Sequence, residues 1–389
     1  MVIRVILTLT LLLVAAGNAV AVNWPIAPKL NAKSWVLLDA RSGQVVTAND
    51  EHQRLAPASL TKMMTLYVAF SDLKLGRLPL DETVKVSEKA WKIGGSTMFL
   101  DPRMHPTVEE LLHGIATLSG NDACIALAEY VAGSEEAFAM LMNNAAERLG
   151  MKDSHFVNST GFPHDNHYSS AYDMALLGAA LWREFPEQYK VFSEKDYTFA
   201  NHTQPNRNRL LWRDERVDGI KTGHTEEAGY CLVGSAEENQ TRFVSAVFGT
   251  ESMDARETQS EILLNYGFRN FATVRPAEQD IRREVEVFEG DENSVWLRPA
   301  QPVWITVPKG YEAKVGFRLR YESPVKAPLH QAQHLGIIEA FIKDGESSEL
   351  LTSIPMQTAS AVARASWFGR KIDGIRLWLR DAPEETAQP

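Results

Sequence analysis

Three short patterns in this 389-residue sequence carry residue types that can make and break acyl bonds. Ser59 and Lys62 stand three apart in PASLTKMMT, Ser119 and Asn121 are separated by one residue in SGND, and Lys221, Thr222 and Gly223 are consecutive in DGIKTGHT. A serine hydroxyl becomes a strong nucleophile when a base takes its proton. A lysine can be that base only when burial or another cation disfavours its ammonium form. The Ser-x-x-Lys spacing alone does not select Ser59, because Ser71 with Lys74 and Ser323 with Lys326 match it equally. Context selects it. Residues three apart share a helix face, and a serine at a helix start meets the positive pole and unpaired backbone N–H groups. Glycine after a hydroxyl residue on an edge strand lets a ligand backbone approach closely. The order Ser-x-x-Lys, Ser-x-Asn, Lys-Thr-Gly is a far stronger signal than any one of the three, and it supplies a second lysine that would help keep Lys62 neutral.

The elements that must position these groups are legible in the apolar spacing. SWVLLDARSGQVVTA predicts two strands turning at Arg41-Ser42-Gly43, so Ser59 falls at a hairpin-to-helix junction, with Met63, Leu66, Tyr67 and Phe70 on the buried side of the helix. Further helices are predicted over TVEELLHGIATL, GNDACIALAEYVAG, SEEAFAMLMNNAAERLG and SAYDMALLGAALWREF. From Thr222 the pattern turns to strand, GYCLVGSAEENQTRFVSAVFG reading as a hairpin, and the helix ARETQSEILLNYGF closes a domain spanning 22–274. Alternating segments follow over 275–362 (REVEVFEG, SVWLRP, VWITVPKG, AKVGFRLRYES, LGIIEAFIKDG) and predict a small all-β domain. The fold class is therefore α+β, with a second, smaller domain.

Length favours two domains. The composition, 44% hydrophobic and 23% charged, is that of a folded globular chain, and a net charge of −10 without a basic stripe argues against nucleic acid as a partner. Arg4 followed by the apolar run from Val5 to Ala16 and then Ala19-Val20-Ala21 reads as a secretory signal peptide over 1–21, cleaved after Ala21; an uncleaved anchor is the competing reading. Cys124 and Cys231 cannot form a multi-bridge framework and read as buried thiols. His155, His164 and His167 with Asp153 and Asp165 have irregular spacing and no helical His pair, so no metal site is expected there.

The terminal segment 363–389 contains SWFGRKIDGIRLWLRD, which at 100° per residue places Trp367, Phe368, Ile372, Ile375, Trp378 and Leu379 within one arc and Arg370, Asp373, Arg376 and Arg380 away from it. Two tryptophans and a net positive charge suit an anionic lipid interface. The alternative is a helix docked on its own protein.

The three motifs, together with APASLTKMMT, SGNDACIALAE, HYSSAYDMALLG, QPNRNRLLW and VDGIKTGHTEEAGYCLVGSA, resemble the penicilloyl serine transferases, and within them the low-molecular-mass penicillin-binding proteins, D-alanyl-D-alanine carboxypeptidases of the five/six type. The likeness runs from about Trp35 into the terminal helix. It implies a β-lactamase/transpeptidase-like domain, an antiparallel sheet flanked by helices, followed by a β-sandwich and a C-terminal anchor helix. By the resemblance, Ser59 would attack the carbonyl between the two terminal D-alanines of a peptidoglycan stem peptide, Lys62 would be its base, and water would hydrolyse the acyl-enzyme. Ser119 would relay a proton, Asn121 would hold the substrate amide and orient Lys62, Lys221 would favour a neutral Lys62, and Thr222 and Arg207 would bind the terminal carboxylate. The backbone N–H groups of Ser59 and His224 would form the oxyanion hole, and Gly223 would be among the substrate-binding residues. The resemblance further implies no cofactor, β-lactams as covalent inhibitors, and a periplasmic location on the outer face of the inner membrane.

Two other functions share parts of the pattern. A class A β-lactamase needs a deacylating glutamate between the second and third motifs. The one Glu-x-x-Leu-Asn here, Glu261 to Asn265, lies after the third. A catalytically silent cell-wall scaffold would have no need of every reactive group.

Overall fold

The structure is a computed structural model that describes Val22, residues 24–344 and residues 347–381. The expected signal peptide and its cleavage point lie outside the described residues. The chain divides into two compact units, one of residues 25–276 with 302–312, the other of the remaining segments.

The first unit is built on a five-stranded antiparallel sheet. Strands β1 (Ser34–Asp39) and β2 (Val45–Asn49) form the first hairpin. A short ribbon, β3 (Asp196–Phe199) with β4 (His202–Pro205), stands apart from the sheet. Strands β5 (Val217–Thr225), β6 (Gly229–Glu238) and β7 (Thr241–Thr250) complete it in the order β2-β1-β7-β6-β5, which leaves β5, the Lys-Thr-Gly strand, at an edge. The helices are α1 (Lys62–Lys74), α2 (Glu88–Lys92), α3 (Val108–Ala116), α4 (Asn121–Ala132), α5 (Glu135–Leu149), α6 (Ala171–Glu184), α7 (Leu210–Arg213) and α8 (Met253–Asn270).

Strand alternation sorts the core. Trp35, Leu37, Leu232, Phe243 and Val247 pack with Leu263, Leu264 and Phe268 of α8 on one face. Val36, Leu38, Val233, Val244, Ala246 and Phe248 join the larger cluster formed with α1, α4 and α6 on the other. Both faces are thus covered, as the apolar runs of β6 and β7 require. Helix starts follow the sequence signals: Thr107 and Glu110 make a reciprocal capping box on α3, while Ser134, Ser170 and Ser252 cap α5, α6 and α8. Each such cap stabilises by about 1 kcal/mol. Gly133 and Gly150 end α4 and α5 with φ of +79° and +76°, conformations that side chains resist.

Strand β8 (Phe271–Val274) leaves α8 and pairs with β11 (Ile305–Pro308), so VWITVPKG groups with the first unit and not with the alternating segments around it. Asp39 stabilises that pairing: its buried carboxylate accepts from Thr306 Oγ1 at 2.8 Å and from Thr273 Oγ1.

In the second unit a short helix, α9 (Glu278–Ile281), precedes β9 (Arg283–Phe288) and β10 (Ser294–Pro299), and β12 (Val315–Arg320), β13 (Val325–Lys326), β14 (His334–Asp344) and β15 (Ser347–Thr358) complete a six-stranded sheet ordered β12-β14-β15-β10-β9-β13. Helix α10 (Trp367–Asp381) ends the described chain.

Candidate active site

Ser59 does not cap a helix. It sits in a 3-10 turn, Ala58–Thr61, that runs directly into α1, and no side chain caps either segment. Ala58 has φ +46°, a left-handed conformation for a residue with a Cβ and a departure that clusters at working sites. Two glycines allow the turn to be gripped from both sides. A Cβ on Gly161 would lie 1.8 Å from the Ala58 carbonyl oxygen, and one on Gly223 would lie 2.9 Å from the Pro57 oxygen and 3.2 Å from Leu60 Cγ. The glycine of Lys-Thr-Gly therefore lets the edge strand pack against the nucleophile turn.

Lys62, the first residue of α1, is fully buried, and its Nζ donates to Ser59 Oγ at 2.9 Å and to the Thr160 carbonyl at 2.7 Å. Burial lowers its pKa to about 8, with Arg207 adding to the depression and the Cys124 and Asp122 side chains opposing it. Lys221 is also buried, donates to the Thr222 carbonyl at 3.1 Å, and is pushed well below the usual lysine range, first by burial and then by Lys62, Arg207 and Arg256. Lys221 is the expected source of the neutrality of Lys62. In the structure burial is the larger cause and Arg207 the cation that adds to it.

Ser119 has φ +62°, is buried, and its Oγ has no hydrogen-bond partner among the described residues. Asn121 opens α4, but its Nδ2 donates to the Gly94 carbonyl at 2.9 Å and its backbone N–H to Ser96 at 2.7 Å, so its side chain ties down the loop before Met98 and makes no bond to Lys62. The adjacent Asp122 completes that tie, accepting from the backbone of Met98, Leu100 and Ala123.

Ser59, Ser119, Asn121, Arg207, Thr222, Gly223 and His224 all line one cleft of about 320 Å³ within the first unit. Lys62 and Lys221 do not line it but are buried and bond to residues that do. His224 stacks on Tyr230, ring centroids 4.0 Å apart. The arrangement therefore joins a hydroxyl, a buried lysine of lowered pKa, a second buried lysine and an exposed arginine around a space that fits a small peptide end.

Several lining residues carried no sequence signal. Arg256 of α8 is 3% exposed, donates to the Arg207 carbonyl at 3.1 Å, and has an Nε with no hydrogen-bond partner among the described residues. A lone arginine within a helix is indistinguishable in sequence from a surface charge. Thr160 and Gly161, in NSTGF, had a weak signal in the glycine, whose φ is +89°. The histidines weighed as metal ligands are engaged separately: His167 bonds Thr61 Oγ1 through Nε2 at 2.7 Å and accepts from Val157 through Nδ1, while His155 Nδ1 meets the Asn166 carbonyl. No group of three or more potential ligands is arranged for a metal among the described residues. Both cysteines are buried and free.

A covered antiparallel sheet with a serine–lysine pair at its edge strand defines a serine acyl-transfer site. The family model for D-alanyl-D-alanine carboxypeptidase matches residues 21–252, and that for the penicillin-binding protein 5 C-terminal domain matches residues 271–364. The chain is 41% identical over 363 residues to the D-alanyl-D-alanine carboxypeptidase DacA of Escherichia coli, covering 91% of this chain and 89% of that one. It matches the crystal structure of penicillin-binding protein 5 from Haemophilus influenzae with a TM-score of 0.82 and 40% identity, over 87% of this chain and 100% of that one. Penicillin-binding protein 6B from Escherichia coli matches with a TM-score of 0.71 and 36% identity, over 86% and 97%. This chain belongs to the D-alanyl-D-alanine carboxypeptidase family.

Proposed function

We propose that the protein is a serine D-alanyl-D-alanine carboxypeptidase of the cell wall that works through an acyl-enzyme on Ser59. The observation that carries this reading is the 2.9 Å contact between Ser59 Oγ and a buried Lys62 whose pKa lies near 8. Neutral Lys62 takes the hydroxyl proton as Ser59 Oγ bonds to the penultimate D-alanine carbonyl carbon. The C–N bond then breaks, and the leaving amine receives a proton through Ser119, whose unpartnered Oγ is free to relay it. Arg207 and Thr222 bind the terminal carboxylate, Asn121 the substrate amide, and the N–H groups of Ser59 and His224 the oxyanion. Water then releases the shortened peptide. A β-lactam entering the same cleft esterifies Ser59.

The test is release of D-alanine from a diacetylated L-Lys-D-Ala-D-Ala tripeptide by the wild type and by Ser59→Ala. No release by the wild type would favour the silent scaffold. Rapid penicillin turnover would favour a β-lactamase, whose glutamate is not supplied by Glu261, a residue of α8 that does not line the cleft.

Residues 1–21 act in this reading as an export signal, and 363–389 as the anchor that keeps the enzyme on the outer face of the inner membrane. Support for the anchor lies in the way α10 packs. Two of its polar residues tie it to the protein: Asp373, 6% exposed, accepts from the Glu289 N–H at 2.6 Å, and Arg376 bonds Asp373 and Glu286. Its apolar residues Trp367, Phe368, Ile372, Ile375 and Trp378 are 58% to 73% exposed. No helix among the described residues is long and apolar enough to cross a membrane.

A further inference from the structure

Outside the residues that touch substrate in this reading, one residue is bonded on both sides of the cleft, through its side chain on one and its backbone on the other. Glu194 follows a 3-10 turn, Gln188–Ser193, and its carboxylate is bonded to α3 and the turn beyond it: Oε2 accepts from Thr117 Oγ1 at 3.0 Å, and Oε1 lies 2.7 Å from His113 Nδ1. That bond raises the His113 pKa, so the pair is charge-assisted over a wider pH range than a free imidazole would allow. Thr117 stands two residues before Ser119, whose left-handed backbone must be imposed by its surroundings. The backbone of the same residue holds the other side. The Glu194 carbonyl accepts from Asn206 Nδ2 at 2.8 Å, and the Lys195 carbonyl accepts from the Asn206 N–H at 2.7 Å.

Asn206 and Asn208 are buried on either side of exposed Arg207. The Arg207 guanidinium has no hydrogen bond or ion pair among the described residues, so its position is set by these neighbours. Asn206 Oδ1 accepts from the Asn208 N–H at 2.9 Å, and Asn208 Nδ2 donates to the Gly219 carbonyl at 3.0 Å. Gly219 is two residues before Lys221. A continuous series of bonds thus runs Thr117, Glu194, Asn206, Asn208, Gly219, with Ser119, Arg207 and Lys221 each within two residues of a member. The asparagines of QPNRNRLLW, unexplained by substrate chemistry, find their use here.

We infer that Glu194 is a positioning residue for the carboxypeptidase reaction, fixing the Ser119 turn and the Arg207 segment relative to each other. The inference rests on the carboxypeptidase reading of the cleft. Misplacing a reacting group by about 1 Å costs up to about 10²-fold in rate, so a link shared by the proton relay and the carboxylate grip has leverage on both.

The experiment compares the full-length wild type with Glu194→Ala, Glu194→Gln, Thr117→Val and Asn206→Ala. Each is assayed for D-alanine release from the diacetylated tripeptide, for cleavage of its C-terminal carboxamide analogue, for acylation by a fluorescent penicillin, and for thermal melting. Glu194→Ala is expected to lose on the order of tenfold in kcat/KM and to show a reduced preference for the free carboxylate. Glu194→Gln, which keeps an acceptor for Thr117 and His113, should stay within about threefold of wild type. Thr117→Val should slow acylation with the carboxylate preference intact, and Asn206→Ala should reduce that preference. Wild-type release combined with an unchanged rate and preference in folded Glu194→Ala would overturn the inference alone, as would a loss matched by loss of folded protein with preference unchanged. Absence of release by the wild type would overturn the carboxypeptidase reading and this inference with it.

Discussion

Lys62 Nζ donates to Ser59 Oγ at 2.9 Å from a position with no solvent exposure. A buried base of pKa about 8 makes a definite statement about pH. The neutral amine is the active form, so the fraction of competent enzyme falls about tenfold per pH unit below that value and is constant above it. The acylation rate should therefore rise with unit slope toward pH 8 and then level. Arg207 lowers the Lys62 pKa, so Arg207→Ala should move the rising limb to higher pH, apart from any loss of carboxylate binding. The check is the pH profile of kcat/KM for both forms; a flat profile across the range from about pH 6 to 9 would remove Lys62 from the role of base.

The glycine at 161 is predicted to be intolerant of a single added methyl. Its φ of +89° disfavours any side chain, and the Cβ would collide with the Ala58 carbonyl, which belongs to backbone that cannot swing away. Gly161→Ala should cost about 2 kcal/mol or more, visible as a fall in melting temperature. Because the displaced atom precedes Ser59, β-lactam labelling should fall by more than the loss of folded protein explains. Labelling that tracks the folded fraction would show that the contact only stabilises.

Much of this geometry was legible in the residues themselves. Apolar periodicity and capping residues marked α3 to α6 and α8, and strand patterning marked β1, β2, β6, β7 and the last residues of β5, whose start at Val217 precedes the expected one, because each signal is local. The three motifs were legible because their chemistry demands particular residue types at short spacing. What escaped was non-local. Nothing near Arg256 distinguishes it from a solvated helix charge until α8 packs on the sheet and brings it to Arg207. The pairing of β11 with β8 joins segments about thirty residues apart, and its alternating pattern is the same as that of the β strands around it. The dominant cause of the low Lys62 pKa, burial, is a property of the packed core and not of the sequence around Lys62.

The amphipathicity of α10 is turned outward. A helix docked for stability buries its apolar arc; this one secures its polar side through Asp373 and Arg376 and leaves two tryptophans, a phenylalanine and two isoleucines in solvent. Burying such side chains in a bilayer interface gains roughly 1.5 kcal/mol or more each, and each nearby basic residue adds about 1 kcal/mol on an anionic surface. The full chain should therefore float with vesicles containing anionic lipid, and deletion of residues 366–389 should abolish flotation while D-alanine release in solution continues. Replacing Trp367 and Trp378 together by alanine should weaken binding by one to two orders of magnitude, about 1.4 kcal/mol per tenfold. Raising salt should weaken the electrostatic part and leave the apolar part, so binding should decline without vanishing. Equal flotation of the full and shortened chains would mean that the exposed arc serves something other than lipid.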